Sequence, residues 1–184
     1  MHWPTRDAYD VAMLDGRAML FDPELRQGTL ARDAFGIRRY GGAGMYICVY
    51  RIDDWLVRCF RANPPKVPPG DIEERYAAIH EFSRRRGQTV SAFIPVTLQG
   101  EGLRVRDRVV PIVKMPFVRD ALSLGSYISR HVQDRTKMGL LSIAWLKMIR
   151  EMEAAPLAHG DLDLTNVLVQ ERNGQLHLYL IDYD

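Results

Sequence analysis

Two short runs near the C-terminus carry the residue types best suited to chemistry: His159-Gly160-Asp161-Leu162-Asp163-Leu164-Thr165-Asn166, then Leu180-Ile181-Asp182-Tyr183-Asp184. They supply an aspartate, an amide five residues on, and a second aspartate beyond an intervening β-hairpin. Phosphoryl transfer needs such a set: one carboxylate to orient an attacking hydroxyl, and an amide with a second carboxylate to hold Mg²⁺ on the phosphates. Mg²⁺ takes oxygen ligands and fills most of its shell from phosphates and water, so one or two protein groups suffice. Singly these residues say less. A lone His159 fits a core histidine, and Asp163 and Thr165 fit turn formers; the joint spacing points to function.

The elements that must position these groups follow from local patterning. Val167-Leu168-Val169 and Leu176-His177-Leu178-Tyr179-Leu180 are strand-like runs around Asn173-Gly174, a strong tight-turn signal. Such a hairpin would hold Asn166 and Asp182 on neighbouring ends. Upstream, residues 1–35 form a mixed N-terminal extension with a helix from Tyr9 to Leu20 and a turn at Asp22-Pro23. A glycine-rich stretch (Gly36, Gly41, Gly42, Gly44) precedes two strands, Met45–Tyr50 and Trp55–Phe60, joined at Asp53-Asp54. The prolines between Asn63 and Gly70 make a loop, and Asp71 with Glu74 reads as a capping box opening a helix. Ile72, Tyr76, Ile79 and Phe82 give that helix its apolar face. Between Phe93 and Val118 strand-like runs alternate around turns at Gln99-Gly100 and Arg106-Asp107, ending at Pro116. Helices follow at Leu124–His131 and Lys137–Ala154, the latter with Leu140, Ile143, Ala144, Met148 and Met152 as its buried stripe.

Composition excludes several classes. The 184-residue chain has the apolar and charged fractions of an ordinary globular protein. Its net charge of +2 argues against a nucleic-acid partner, and Arg84-Arg85-Arg86 reads as a solvated helix end. No stretch reaches the roughly eighteen apolar residues that span a bilayer, and no signal peptide opens the chain, so a cytoplasmic location is expected. Cys48 and Cys59 lack metal-ligand spacing and read as buried thiols in a reducing compartment.

The ordered pattern His-x-Asp-Leu-x-x-x-Asn, strand, turn, strand, Ile-Asp resembles the catalytic loop and metal motif of the protein-kinase-like superfamily. The order of elements from about residue 36 onward is similar to that of a kinase small lobe followed by the first half of a large lobe. The resemblance implies an α+β bilobal fold, with the small lobe over residues 36–116 and the large lobe opening over 117–184. It also implies an activation segment and underlying helices after the second metal aspartate. This chain stops two residues after Asp182, which reads as a large lobe truncated at that point.

Residue by residue, the resemblance assigns Asp161 the hydroxyl-orienting role and gives Asn166 and Asp182 to Mg²⁺. Gly42 and Gly44 would lie over the phosphates of ATP. Arg58 stands where the family has a lysine on the α- and β-phosphates, a swap that replaces a compact ammonium with a planar fork. Glu74 is the candidate partner of Arg58, with Glu81 as competitor. Met115 and Val118 would flank the adenine at the hinge. The loop reads His-Gly-Asp where typical protein kinases have His-Arg-Asp, as in aminoglycoside and choline kinase relatives and some bacterial kinase-like proteins, and Asp163 replaces their lysine. The implied activity is ATP- and Mg²⁺-dependent phosphoryl transfer to a hydroxyl, of a protein Ser/Thr in the first instance. The alternatives are a small-molecule kinase of the aminoglycoside-phosphotransferase type and a nucleotide-binding pseudokinase that acts as a regulatory module.

Overall fold

A computed structural model describes residues 3–34, 36–40, 47–61, 71–86, 90–155 and 158–182. Contacts divide the chain into two compact units, one of Met1–Ala78 with Val96–Phe117, the other of Ile79–Pro95 with Val118–Asp184. Both are mixtures of helix and antiparallel sheet, compatible with a kinase-like fold.

The first unit is built on β3 (Ile47–Ile52), β4 (Trp55–Phe60), β5 (Thr97–Val105) and β6 (Arg108–Pro116), in the antiparallel order β3-β4-β6-β5. Strand alternation gives this sheet two different faces. Cys48, Tyr50, Ile52, Val57, Cys59, Leu103, Val105, Val110 and Ile112 share a core with Tyr9, Ala12, Met13, Leu20 and Leu25 from the N-terminal helices. Those helices are α1 (Arg6–Leu14), α2 (Gly16–Met19) and α3 (Pro23–Gln27). A small ladder of β1 (Arg32–Asp33) and β2 (Gly36–Ile37) follows them.

The single helix expected over Tyr9–Leu20 is two, broken at Asp15 (φ −107°, ψ 42°) before Gly16, two poor helix formers in succession. Asp22-Pro23 starts a helix where a plain turn was expected. The Asp22 carboxylate accepts from the N–H groups of Glu24 (2.9 Å) and Leu25 (3.0 Å), and Pro23 takes a first-turn position, where no N–H is missed. Gln99-Gly100 is likewise no turn. It lies inside β5 beside an irregularity between Gln99 and Leu103, while the strand reversal falls at Arg106 (φ 56°) and Asp107.

Helix α4 (Asp71–Arg86) begins where expected, although the Asp71 and Ile72 side chains lie outside the described residues. Tyr76 is buried edge-on to Phe60, their centroids 6.3 Å apart. Ile79 and Phe82 pack instead in the second unit's core, Phe82 edge-on to Phe93 at 5.0 Å.

The second unit holds α5 (Leu124–His131), α6 (Arg135–Ala154) and a three-stranded antiparallel sheet, β7-β8-β9. Its strands are β7 (Leu122–Ser123), β8 (Val167–Arg172) and β9 (Gln175–Leu180). Val167, Val169, Leu178 and Leu180 turn inward at period two and bury against Leu141, Met148 and Met152 of α6. The stripe expected along α6 is therefore half right. Leu140 (37%) and Ile143 (67%) are exposed, because α6 is apolar on more than one face and only the hairpin selects which face is buried. No helix among the described residues is long and apolar enough to cross a membrane.

Candidate active site

The hairpin β8–β9 is the scaffold. Asn173 (φ 52°) and Gly174 (φ 74°) both take the left-handed conformation that a two-residue hairpin turn demands. Register pairs Val167 with Leu180, so the residues just outside the ladder, Asn166 and Ile181, face each other, and the Ile181 N–H donates to the Asn166 carbonyl at 2.9 Å. Asp182 follows directly. The Leu180 N–H donates to the Ala92 carbonyl (2.7 Å), which pins the open end of the hairpin to the segment before Pro95.

Around this end the loop is closely hydrogen-bonded. Asn166 is buried, and its amide nitrogen donates to both the backbone carbonyl (3.0 Å) and the carboxylate (3.2 Å) of Asp161. Both partners can only accept, so the amide must present its NH₂ to Asp161, which turns its oxygen away from that residue. His159 is buried, with Nε2 2.8 Å from the Ile181 carbonyl; a carbonyl only accepts, so the proton sits on Nε2. Asp163 closes a local turn, accepting from the Thr165 N–H and hydroxyl, both at 2.7 Å. Those bonds, the backbone one foremost, hold its carboxyl below the usual range. Asp163 thus has a structural task in the loop.

Two backbone conformations stand out. Gly160 has φ +81°, a value L side chains rarely adopt, which explains a glycine between His159 and Asp161. Asp182 has φ 65° although it is not glycine. Non-glycine residues in this region are uncommon, and they cluster where function fixes a side chain.

The structure therefore brings Asp161, Asn166 and Asp182 to one end of one hairpin. In the first unit, Arg58 pairs in register with Val113, and Leu56 with Met115, so Arg58 and Met115 share the face opposite the N-terminal helices. Arg58 is buried on β4, an interior strand, which overturns the alternative of an ordinary surface arginine on an edge. Glu74 is exposed, and no ion pair among the described residues joins it to Arg58. Glu81 is held by its own helix, paired with Arg84 (2.9 Å) and with Arg85. Val118 is the first residue after the first unit's last segment. Ahead of it, the Phe117 N–H is spent on the Asp54 carbonyl (2.7 Å). Gly42 and Gly44 lie outside the described residues.

The hydrogen bonds around Lys114 carried no sequence signal. Its ammonium meets Asp22 at 3.0 Å and Glu24 at 2.7 Å and lies 4.3 Å from the centre of the Trp55 ring. Asp22 and Glu24 are about ninety residues away along the chain, beyond the reach of any local pattern.

Residues 74–184 match the model of the Kdo: Lipopolysaccharide kinase (Kdo/WaaP) family. The chain belongs to this family, within the protein-kinase-like superfamily, and is an enzyme, a kinase. Among curated proteins none matches it.

Proposed function

We propose that the protein transfers the γ-phosphoryl group of ATP to a hydroxyl of a saccharide acceptor of the lipopolysaccharide type. The bond from the Asn166 amide to Asp161, at the end of the hairpin that leads into Asp182, is the observation that carries this reading. It ties the hydroxyl-orienting carboxylate and the amide into one unit.

The donor set suits a magnesium ion. With its nitrogen committed to Asp161, Asn166 offers an amide oxygen, and Asp182 offers a carboxylate; both are hard oxygen donors. Asn166 and Asp182 would hold Mg²⁺, whose charge offsets the negative charge on the phosphates. Asp161 would accept a hydrogen bond from the acceptor hydroxyl, aim its lone pair at the γ-phosphorus and take up its proton as the P–O bond forms. His159, fixed on the Ile181 carbonyl, would hold the loop to the strand end that presents Asp182. Arg58 would bring positive charge to the phosphates, and Gly42, Gly44, Glu74, Met115 and Val118 remain the proposed nucleotide contacts. The protein Ser/Thr acceptor suggested by the element order gives way to a sugar hydroxyl, because the matched family is one of lipopolysaccharide kinases.

The test is phosphotransfer by the full-length protein from γ-labelled ATP with Mg²⁺, offering lipopolysaccharide, its deacylated saccharide and a panel of proteins side by side. Label in the carbohydrate arms is expected. Label in protein alone would return the acceptor to Ser/Thr.

A further inference from the structure

Helix α1 holds the sheet of the first unit by polar groups as well as by its apolar face. The Tyr9 hydroxyl donates to the Phe60 carbonyl at the end of β4 (2.6 Å). One residue on, the Asp10 carboxylate accepts from the Tyr50 hydroxyl of β3 (2.8 Å) and pairs with Arg39, whose Nε donates at 3.3 Å. Tyr50 is fully buried, whereas the Arg39 side chain is 40% exposed and that of Asp10 15%. Burial alone would raise the Asp10 pKa, but the bonds from Arg39 and Tyr50 outweigh it and leave the carboxyl below its usual range. Asp10 is therefore ionised at neutral pH, and its bonds with Arg39 are charge-assisted.

Arg39 belongs to residues 38–40, which run antiparallel along β3. Arg39 bridges Tyr50, and the Tyr40 N–H donates to the Val49 carbonyl (3.0 Å). Directly opposed residues share a face, so Arg39 lies with Tyr50 on the side that the helices cover. Tyr40 takes the other face together with Val49, which pairs in register with Arg58. There its ring meets Phe117 edge-on, centroids 5.4 Å apart, and the Arg51 guanidinium lies 4.1 Å from the centre of the Phe117 ring. Gly41, Gly42 and Gly44 follow in the chain. An ion pair on the covered face thus anchors the residues that lead into the glycine-rich stretch.

We infer that Asp10 is a positioning residue for ATP: through Arg39 it fixes residues 38–40, and with them the Tyr40 ring and the start of the glycine-rich stretch. Asp10 itself stays on the opposite face of the sheet and touches no nucleotide. The inference rests on the proposal above that Gly42, Gly44, Met115 and Val118 contact the nucleotide. A segment already held at one end loses less conformational freedom when a ligand orders it. Affinity then rises with no new contact to the ligand.

The test is calorimetric titration of the full-length protein with Mg-ATP, for wild type, Asp10→Asn, Arg39→Gln and the double variant. Asp10→Asn keeps an oxygen for the Tyr50 hydroxyl and removes the charge that holds Arg39. Arg39→Gln, at an exposed position, approaches the same pair from a side chain that folding depends on less. Each single variant should bind Mg-ATP about fivefold more weakly. The double variant should bind no more weakly than the worse single one, as partners in one interaction behave. In phosphotransfer to lipopolysaccharide the loss should fall on KM for ATP, with kcat at saturating Mg-ATP retained. Unchanged affinity beside a lowered thermal midpoint would make the pair purely structural and overturn the inference. Additive losses, or a loss in Arg39→Gln alone, would also overturn it, since Arg39 would then act without Asp10. Failure of wild type to bind Mg-ATP would refute the nucleotide reading itself, and this inference with it.

Discussion

At Gly160 the chain turns through φ +81° between a buried histidine and the aspartate proposed to orient the acceptor. A Cβ there would meet nothing within 4 Å, so a side chain would cost backbone strain and no clash. Gly160→Arg, which restores the residue typical of protein kinases, should destabilise the protein by about 1–2 kcal/mol. Urea unfolding measures this, and an unchanged midpoint would show that the loop accepts a different backbone conformation. Arg58 makes the complementary case. Buried on an interior strand, it should lose ATP affinity on Arg58→Ala and keep more of it on Arg58→Lys, which preserves the charge. Titration of folded variants with Mg-ATP decides, and equal affinity in wild type and Arg58→Ala would remove Arg58 from the phosphate site. The loop and hairpin that carry the proposed catalytic residues were legible because their signals are local: fixed spacing, Asn-Gly at the turn, alternation on either side. The left-handed backbone at Gly160 and Asp182 was not, since no residue type enforces it.

Among the elements, the tie between α3 and β6 sets how firmly the N-terminal helices cover the sheet. Burial alone would raise the Asp22 pKa, but the bonds from the Leu25 N–H, Lys114 and Gln99 outweigh it and leave the carboxyl below its usual range. Burial likewise opposes the Lys114 charge, and the bonds to Glu24 and Asp22 reverse that and raise its pKa. A lowered carboxylate contributes stability above its unfolded pKa of about 3.9, lost as pH falls through the lower folded value. A raised ammonium contributes below its unfolded pKa of about 10.4, lost as pH climbs through the higher folded value. Asp22→Asn should therefore lower the thermal midpoint most between about pH 5 and 9, with the deficit shrinking in acid. A deficit constant down to pH 2 would show that the carboxylate charge is not what matters. The sequence suggested strands and helices here but not their assembly. Asp22 read as a turn residue because its partners lie far along the chain, and the buried phase of α6 was ambiguous because Leu140, Leu141 and Ile143 are all apolar.

Over the whole molecule, the formal net charge is near neutral, at +2. Folding pairs residues that the chain holds far apart, as it does Lys114 with Asp22 and Glu24. Only folding gathers such partners, whereas the residues proposed for catalysis lie within one loop and the hairpin that follows. That difference explains why the proposed catalytic loop was readable from the chain and the long-range ion pairs were not.

Asp161→Asn tests the proposed chemistry most directly, because it keeps the shape of the residue and removes its charge. The measurement is the rate of phosphotransfer to the saccharide acceptor by full-length wild type and variant at saturating Mg-ATP, with nucleotide affinity determined alongside. The variant should lose about a hundredfold or more in kcat while binding Mg-ATP as wild type does. A variant that transfers phosphate at the wild-type rate would contradict the role of Asp161.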